Sequence, residues 1–147
     1  MMTIGIIGQG YVGTAIKLGF QDHYKVLTYD KFDLAKSTHS KISDLVEETK
    51  VIFVCVPTPM RKDGTCYTGI VEEVIREINE TATDHIVVIK STIPPGTTDR
   101  INSEYTHSTV IFNPEFLTEA NFLEDFKNQK RIILGGDRKG TNKLRQI

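Results

Sequence analysis

The sequence predicts a doubly wound α/β fold: a mainly parallel sheet with helices on both faces. Three observations carry this. Short apolar β-type runs alternate with segments of helical apolar period along the whole chain, the pattern of strand–helix–strand crossovers. The run Val51-Ile52-Phe53-Val54-Cys55-Val56 is apolar without a break, as a strand covered on both faces must be. Glycine-, proline- and polar-rich motifs follow directly on these runs, where connections leave a parallel sheet. At 147 residues the chain suits one domain, set here at residues 1–136, with 137–147 as a polar tail or the start of a further helix.

In order, the first strand is expected over 3–8 and a helix over 11–21, where Ala15, Ile16, Leu18 and Phe20 supply an apolar face. A second strand over 25–30 ends in Asp30. Residues 31–40 are polar and without period. A short helix over 42–48 has Ser40 or Ser43 as its candidate cap. The strand over 51–56 stops at Pro57-Thr58-Pro59, because proline can neither donate to a ladder nor continue into a helix interior. After a loop carrying Asp63-Gly64, a helix over 69–81 places Ile70, Val71, Val74, Ile75 and Ile78 on one face and a solvated row of glutamates on the other. Strands are expected over 86–89, 109–112 and 131–134, making six. Short helices are expected near 97–104 and 118–126.

One junction carries chemistry. Gly8-Gln9-Gly10-Tyr11-Val12-Gly13 sits where the first strand turns into the first helix, which is the context a dinucleotide fingerprint requires. Gly8 makes the tight turn, Gly10 lets a pyrophosphate approach the backbone, and Gly13 lets helix and strand pack closely. The helix start offers unpaired N–H groups and partial positive charge. Asp30, 22 residues past Gly8, is the carboxylate that a ribose hydroxyl needs. The reading is therefore Rossmann-like, and the motifs at 8–13, 30, 57–59, 91–98 and 113–119 are expected to gather along one sheet edge.

Composition excludes several classes. A net charge of −1 and no basic stripe argue against nucleic acid. No apolar run approaches the 18 or so residues of a membrane span, and no signal peptide is read. Two cysteines make no disulfide framework, so the cytoplasm is the expected compartment. Cys55 reads as a small core residue. Cys66 has no flanking base to activate it. His23, His39, His85 and His107 lack metal-ligand spacing, so no metal is expected.

Gly8 to Gly13, Val54-Cys55-Val56-Pro57-Thr58-Pro59, Lys90-Ser91-Thr92-Ile93-Pro94-Pro95-Gly96-Thr97-Thr98 and Asn113-Pro114-Glu115-Phe116-Leu117 occur in that order, extended by Glu124-Asp125-Phe126 and Arg131-Ile132-Ile133-Leu134-Gly135-Gly136. Together they resemble the N-terminal NAD-binding domain of the UDP-glucose/GDP-mannose dehydrogenase family. The resemblance implies oxidation of a nucleotide-sugar C6 alcohol to the carboxylate in two hydride transfers to NAD, through a thioester on a cysteine. It implies cofactor contacts from Gly8, Gln9, Gly10, Tyr11, Val12, Gly13, Asp30, Val56, Pro57, Thr58, Pro59, Ser91, Thr92 and Glu119. It implies catalytic work for Glu115 and Thr92, and substrate contacts from Glu115, Phe116, Leu117, Thr118 and Glu119. If the segment is helical, Glu115 and Glu119 share a face, and paired carboxylates can be driven to different proton affinities.

The chain also departs from the resemblance. The family's central helix and nucleotide-sugar domain, with the catalytic cysteine, have no counterpart here, and neither Cys55 nor Cys66 matches that cysteine. Only 20 residues separate Asp30 from Val51, so one crossover is abbreviated. Thr118 stands where an arginine is usual. The expectation is a cofactor domain that binds NAD but does not complete catalysis alone. It would meet the nucleotide sugar only when completed by another domain, and an apolar patch at the carboxyl edge would favour a homodimer or partner chain. The alternatives are a stand-alone dinucleotide-binding subunit or sensor, and a β-hydroxyacid-type dehydrogenase.

Overall fold

The computed structural model describes residues 1–147. Five strands, β1 (Thr3–Ile7), β2 (Lys25–Tyr29), β3 (Val51–Val54), β4 (His85–Ile89) and β5 (Ser108–Phe112), form one sheet. Every pairing is parallel and the order is β2-β1-β3-β4-β5. The chain steps outward from β1 to β2 and then back past β1 to β3. The topological switch therefore lies between β1 and β3, and the crevice beyond their carboxyl ends is where such sheets take ligands.

Six helices cover the sheet: α1 (Tyr11–Phe20), α2 (Ile42–Glu48), α3 (Gly69–Thr81), α4 (Thr97–Glu104), α5 (Phe122–Asn128) and α6 (Arg138–Leu144). Strand alternation divides the core in two. Ile7, Leu27, Ile52, Val54, Val87, Ile89 and Val110 pack with α2, α3 and α4 on one face. Ile4, Ile6, Val51, Phe53, Val88 and Ile111 pack with Ile16 of α1 and Leu144 of α6 on the other. All four residues of β3 are buried, as its unbroken apolar run requires. His85 is the one large polar side chain sealed into this core: its two ring nitrogens lie 3.1 Å from the Thr83 carbonyl and 3.0 Å from the Val46 carbonyl, tying β4 to the end of α2.

The sixth strand expected over 131–134 does not form. A parallel sixth strand needs a helix crossing beside β5, but α5 packs on α1, with the Phe126 ring over Gly19 and against Phe20. The chain returns to β5 running the opposite way. Phe112 and Gly135 exchange N–H···O bonds of 2.7 Å in a single antiparallel bridge, and Ile132 and Ile133 are left exposed. Gly136, at φ 148°, then turns the chain into α6, which Asp137 caps by accepting from the N–H groups of Lys139 and Gly140. At α2, neither Ser40 nor Ser43 caps: Lys41 occupies that position without a side-chain bond, and Ser43 donates to Asp44 instead. No helix is long and apolar enough to cross a membrane.

Candidate functional site

β1 ends at Ile7 and the chain reverses at Gly8, whose φ of 96° suits glycine alone. The Gly8 N–H donates to the Tyr29 carbonyl at 2.8 Å, and a Cβ here would stand 2.5 Å from the Cys55 carbonyl oxygen. A Cβ on Gly13 would overlap the Gly8 carbonyl oxygen, so α1 rides directly on the turn. At Gly10 a Cβ would meet nothing within 4 Å. The three glycines thus divide between packing (Gly8, Gly13) and open space (Gly10). Gly10 is the N-cap of α1, and Thr14 makes the first intrahelical bond to it. The N–H groups of Tyr11, Val12 and Gly13 accordingly have no acceptor within the helix. Gln9 turns its side chain inward, 3% exposed and donating to the Gly8 carbonyl.

Asp30 reaches back to this turn. One carboxylate oxygen accepts from the Gln9 N–H at 2.7 Å, and the other accepts from Phe32 and Asp33 at 2.8 and 2.9 Å. Burial works to raise its proton affinity, but these three backbone donors, with Lys36 nearby, outweigh it and hold the carboxyl below the usual range. Of a carboxylate's roughly four acceptor directions, one remains for a ligand hydroxyl.

Beyond the switch, Gly10, Tyr11, Val12, Cys55, Val56, Pro57, Thr58, Lys90, Ser91, Thr92, Glu115 and Leu117 line a cavity of about 420 Å³. The structure thus brings residues from four of the five sequence motifs around one space. Ser91 fixes its wall by donating to the Val56 carbonyl at 2.6 Å, which holds the Pro57-Thr58-Pro59 loop against β4. Gly8 and Asp30 line an adjoining cleft with Phe32, Ile70, Glu73, Val74 and Glu77. Gln9, Gly13, Pro59, Phe116, Thr118 and Glu119 lie outside both cavities. Thr118 is instead bound to Asp125 through its N–H and hydroxyl. Residues 113–118 have no regular secondary structure and no helix holds Glu115 and Glu119 on one face: the Glu115 side chain is 9% exposed and Glu119 lies in the open.

Two residues, Lys90 in the cavity lining and Asn113 bonded to it, were given no role from sequence. Lys90 and Asn113 immediately follow β4 and β5, and the Lys90 ammonium donates to Asn113 Oδ1 at 2.8 Å and lies 2.9 Å from Glu115 Oε2. That pair is ionic contact without hydrogen-bond alignment, since Oε2 has no aligned donor. Asn113 Nδ2 donates onward to the Ile133 carbonyl. The signal was present: a lone polar side chain in the first position past a buried parallel strand points at the carboxyl edge. Cys55 lines the same cavity, but burial pushes its thiol up to about 12, so it is no nucleophile. Cys66 approaches the Thr92 carbonyl at 3.6 Å.

The arrangement fits a dinucleotide. It offers open space over unpaired helix N–H groups for phosphates, a held carboxylate for a ribose, and an apolar-walled cavity ending in polar groups. A larger groove of about 500 Å³, bounded by α6, Phe20 and Phe53, shares only Asn113 with these motifs.

Comparison with known proteins gives the same direction. Residues 32–147 match the sequence model of the UDP-glucose/GDP-mannose dehydrogenase family, NAD binding domain. The UDP-glucose 6-dehydrogenase of Streptococcus pneumoniae is 31% identical over 166 residues, covering 92% of this chain and 41% of that enzyme. That of Rhizobium meliloti is 31% identical over 173 residues, covering 92% and 40%. Among solved structures, the UDP-glucose dehydrogenase of Pyrobaculum islandicum superposes with a TM-score of 0.86 at 28% identity, over 98% of this chain and 43% of that one. A ternary complex of GDP-mannose dehydrogenase from Pseudomonas aeruginosa gives 0.85 at 27%, over 99% and 43%. The chain spans well under half the length of the relatives it matches.

Proposed function

This chain belongs to the UDP-glucose/GDP-mannose dehydrogenase family through its NAD binding domain, and from that premise we propose that it holds NAD across the carboxyl ends of β2, β1, β3 and β4. The glycine turn and the start of α1 take the pyrophosphate, Asp30 the adenosine ribose, and Val56, Pro57, Thr58, Pro59, Ser91 and Thr92 the remainder. Bound NAD supplies a hydride acceptor. To Glu115 and Thr92 this reading gives the handling of a proton or a water, and to Phe116, Leu117, Thr118 and Glu119 the contacts with substrate. The substrate proposed is a nucleotide sugar of the UDP-glucose type, oxidised at a primary alcohol. We assign the cysteine chemistry to a further domain or partner chain, because burial silences Cys55 and Cys66 has no base beside it. Exposed Phe116, Ile132 and Ile133, with Arg131 6.0 Å over the Phe116 ring, favour such a partner or a homodimer at this edge. The two unpaired cysteines favour the cytoplasm.

The observation that carries this reading is the single cavity shared by Gly10, Pro57, Thr58, Ser91, Thr92 and Glu115, residues scattered over more than a hundred positions of sequence. Calorimetric titration with NAD, beside Asp30→Ala and with NADP as control, tests it. Saturable one-site binding, weakened in the variant and by the extra phosphate, is expected. A folded chain that binds no NAD would end the proposal.

A further inference from the structure

Lys90 and Glu115 form an ion pair almost sealed from water, their side chains 5% and 9% exposed at a separation of 2.9 Å. The register builds it. Ile89 of β4 pairs with Phe112 of β5, so Lys90 and Asn113 leave the sheet side by side and Glu115 follows two residues later. Asn113 accepts one ammonium hydrogen at 2.8 Å and so aims the charge. Glu115 Oε1 accepts the N–H of Phe116 at 2.9 Å, while Oε2 faces Lys90 with no aligned donor from any other group. Each charge therefore depends on the other, and with little water between them neither is screened. β4 lies three strand spacings from β2, about 14 Å at the usual interval, so the pair stands far from Asp30 at the other end of the site.

Resting on the cofactor reading above, we propose that Lys90 is a positioning residue. Paired with Glu115, it keeps the inner end of the cavity electrically neutral, so that the site does not discriminate by charge between oxidised and reduced dinucleotide. The ring that accepts a hydride loses one positive charge on reduction. A lone carboxylate in the cavity floor would hold the oxidised form, and a lone ammonium would hold the reduced one. The neutral pair does neither.

The test is a cycle of four chains: wild type, Lys90→Met, Glu115→Gln and the double variant. Dissociation constants for NAD⁺ and NADH are measured at neutral pH, and melting curves run in parallel. Lys90→Met is expected to shift the affinity ratio toward NAD⁺ by about tenfold, the order expected of one unpaired charge in a protein site. Glu115→Gln is expected to shift it toward NADH by a similar factor, and the double variant to return it to within about twofold of wild type. A merely structural role would weaken both forms alike and leave the ratio unmoved, which would overturn the inference. If Lys90→Met does not fold, the sign of the Glu115→Gln shift decides alone. Binding of neither form by the wild-type chain would overturn the cofactor reading and this inference with it; binding of both with an unmoved ratio would overturn only this one.

Discussion

Adding one methyl group at Gly10 or at Gly13 should separate the two jobs of the glycine turn. At Gly13 the new Cβ would overlap the Gly8 carbonyl oxygen and stand 3.0 Å from its carbon, both backbone atoms that cannot swing aside. A C···O contact wants about 3.3 Å or more, so the start of α1 must lift off the turn by on the order of 1 Å. Ala15 and Ile16, each 1% exposed beneath the helix, would lift with it. Overpacking of this kind costs about 1–3 kcal/mol, and with roughly 3 °C per kcal/mol at this size Gly13→Ala should melt about 3–9 °C lower. At Gly10 a Cβ meets nothing, and φ −69°, ψ −162° is open to alanine. Losing the better N-cap costs a few tenths of a kcal/mol, and the stiffer unfolded chain offsets a similar amount, so Gly10→Ala should melt within about 2 °C of wild type. Its methyl group would occupy the space over the free N–H groups, and NAD affinity should fall by more than about tenfold. Circular dichroism melts and calorimetric titrations on the three chains read both quantities. If Gly10→Ala destabilises as much as Gly13→Ala, or binds NAD like wild type, the assignment of open space at Gly10 to the cofactor is wrong.

Asp30→Ala should lose about 1–2 kcal/mol in melts at neutral pH, because three loop N–H groups lose a charged acceptor. Since its carboxyl is held below the usual range, the stability it contributes is present above the unfolded value near pH 4 and is lost as pH falls through the lower folded value; wild type should therefore lose its advantage over the variant on acidification. His85→Ala should cost about 2–4 kcal/mol by urea unfolding, from a cavity in a site 1% exposed and two carbonyls left facing it. Gly19→Ala should push the Phe126 ring off α1 and loosen α5, seen as faster proteolysis between residues 113 and 130 with the sheet amides still protected from exchange.

The parts of this fold that sequence made legible are those where burial leaves no choice. Val51–Val54 is apolar at every position because both of its faces are covered, and the α3 stripe Val71, Val74, Ile75 and Ile78 is buried because that face packs into the core shared with α2 and the strands. The 131–134 run misled because Ile132 and Ile133 are β-branched and strand-like yet left exposed; what decided its fate was the docking of α5 on α1, a contact between residues more than a hundred apart. The cavity walls were readable from glycines and prolines, whose backbone restrictions are local. The floor was not. Lys90 and Asn113 carry only one local signal, a polar side chain in the first position past a buried strand, and their pairing with Glu115 exists only through the register of β4 on β5. Glu119 shows the converse: its spacing from Glu115 meant something only on a helix, and Pro114 together with the Thr118–Asp125 bonds disfavours a helix there.

Twenty residues are few for a crossover from Asp30 to Val51, yet they do two things at once. β2 is an edge strand, and its free side is covered by the segment itself. Thr28 donates its N–H to the Thr38 hydroxyl at 2.8 Å, the Thr38 N–H donates back to the Thr28 carbonyl at 2.9 Å, and the Asp30 N–H donates to the Ser37 hydroxyl at 2.8 Å. The same stitching fixes the backbone from which Asp30 reaches Gln9, so Asp30 is held by the chain's own hydrogen bonds rather than by a longer loop. Acidic company comes from α3. The cleft beside Asp30 includes Glu73 and Glu77 against a single lysine, Lys31, and burial with Glu73 and Glu80 already pushes Glu77 up. A 2′-phosphate entering there would add about two negative charges beside Asp30, Glu73 and Glu77, whereas a ribose diol would need only the one acceptor direction that Asp30 has left. On the proposed cofactor reading, a preference for NAD over NADP should come from the whole cleft and should survive, weakened, in Asp30→Ala, as paired calorimetric titrations would read.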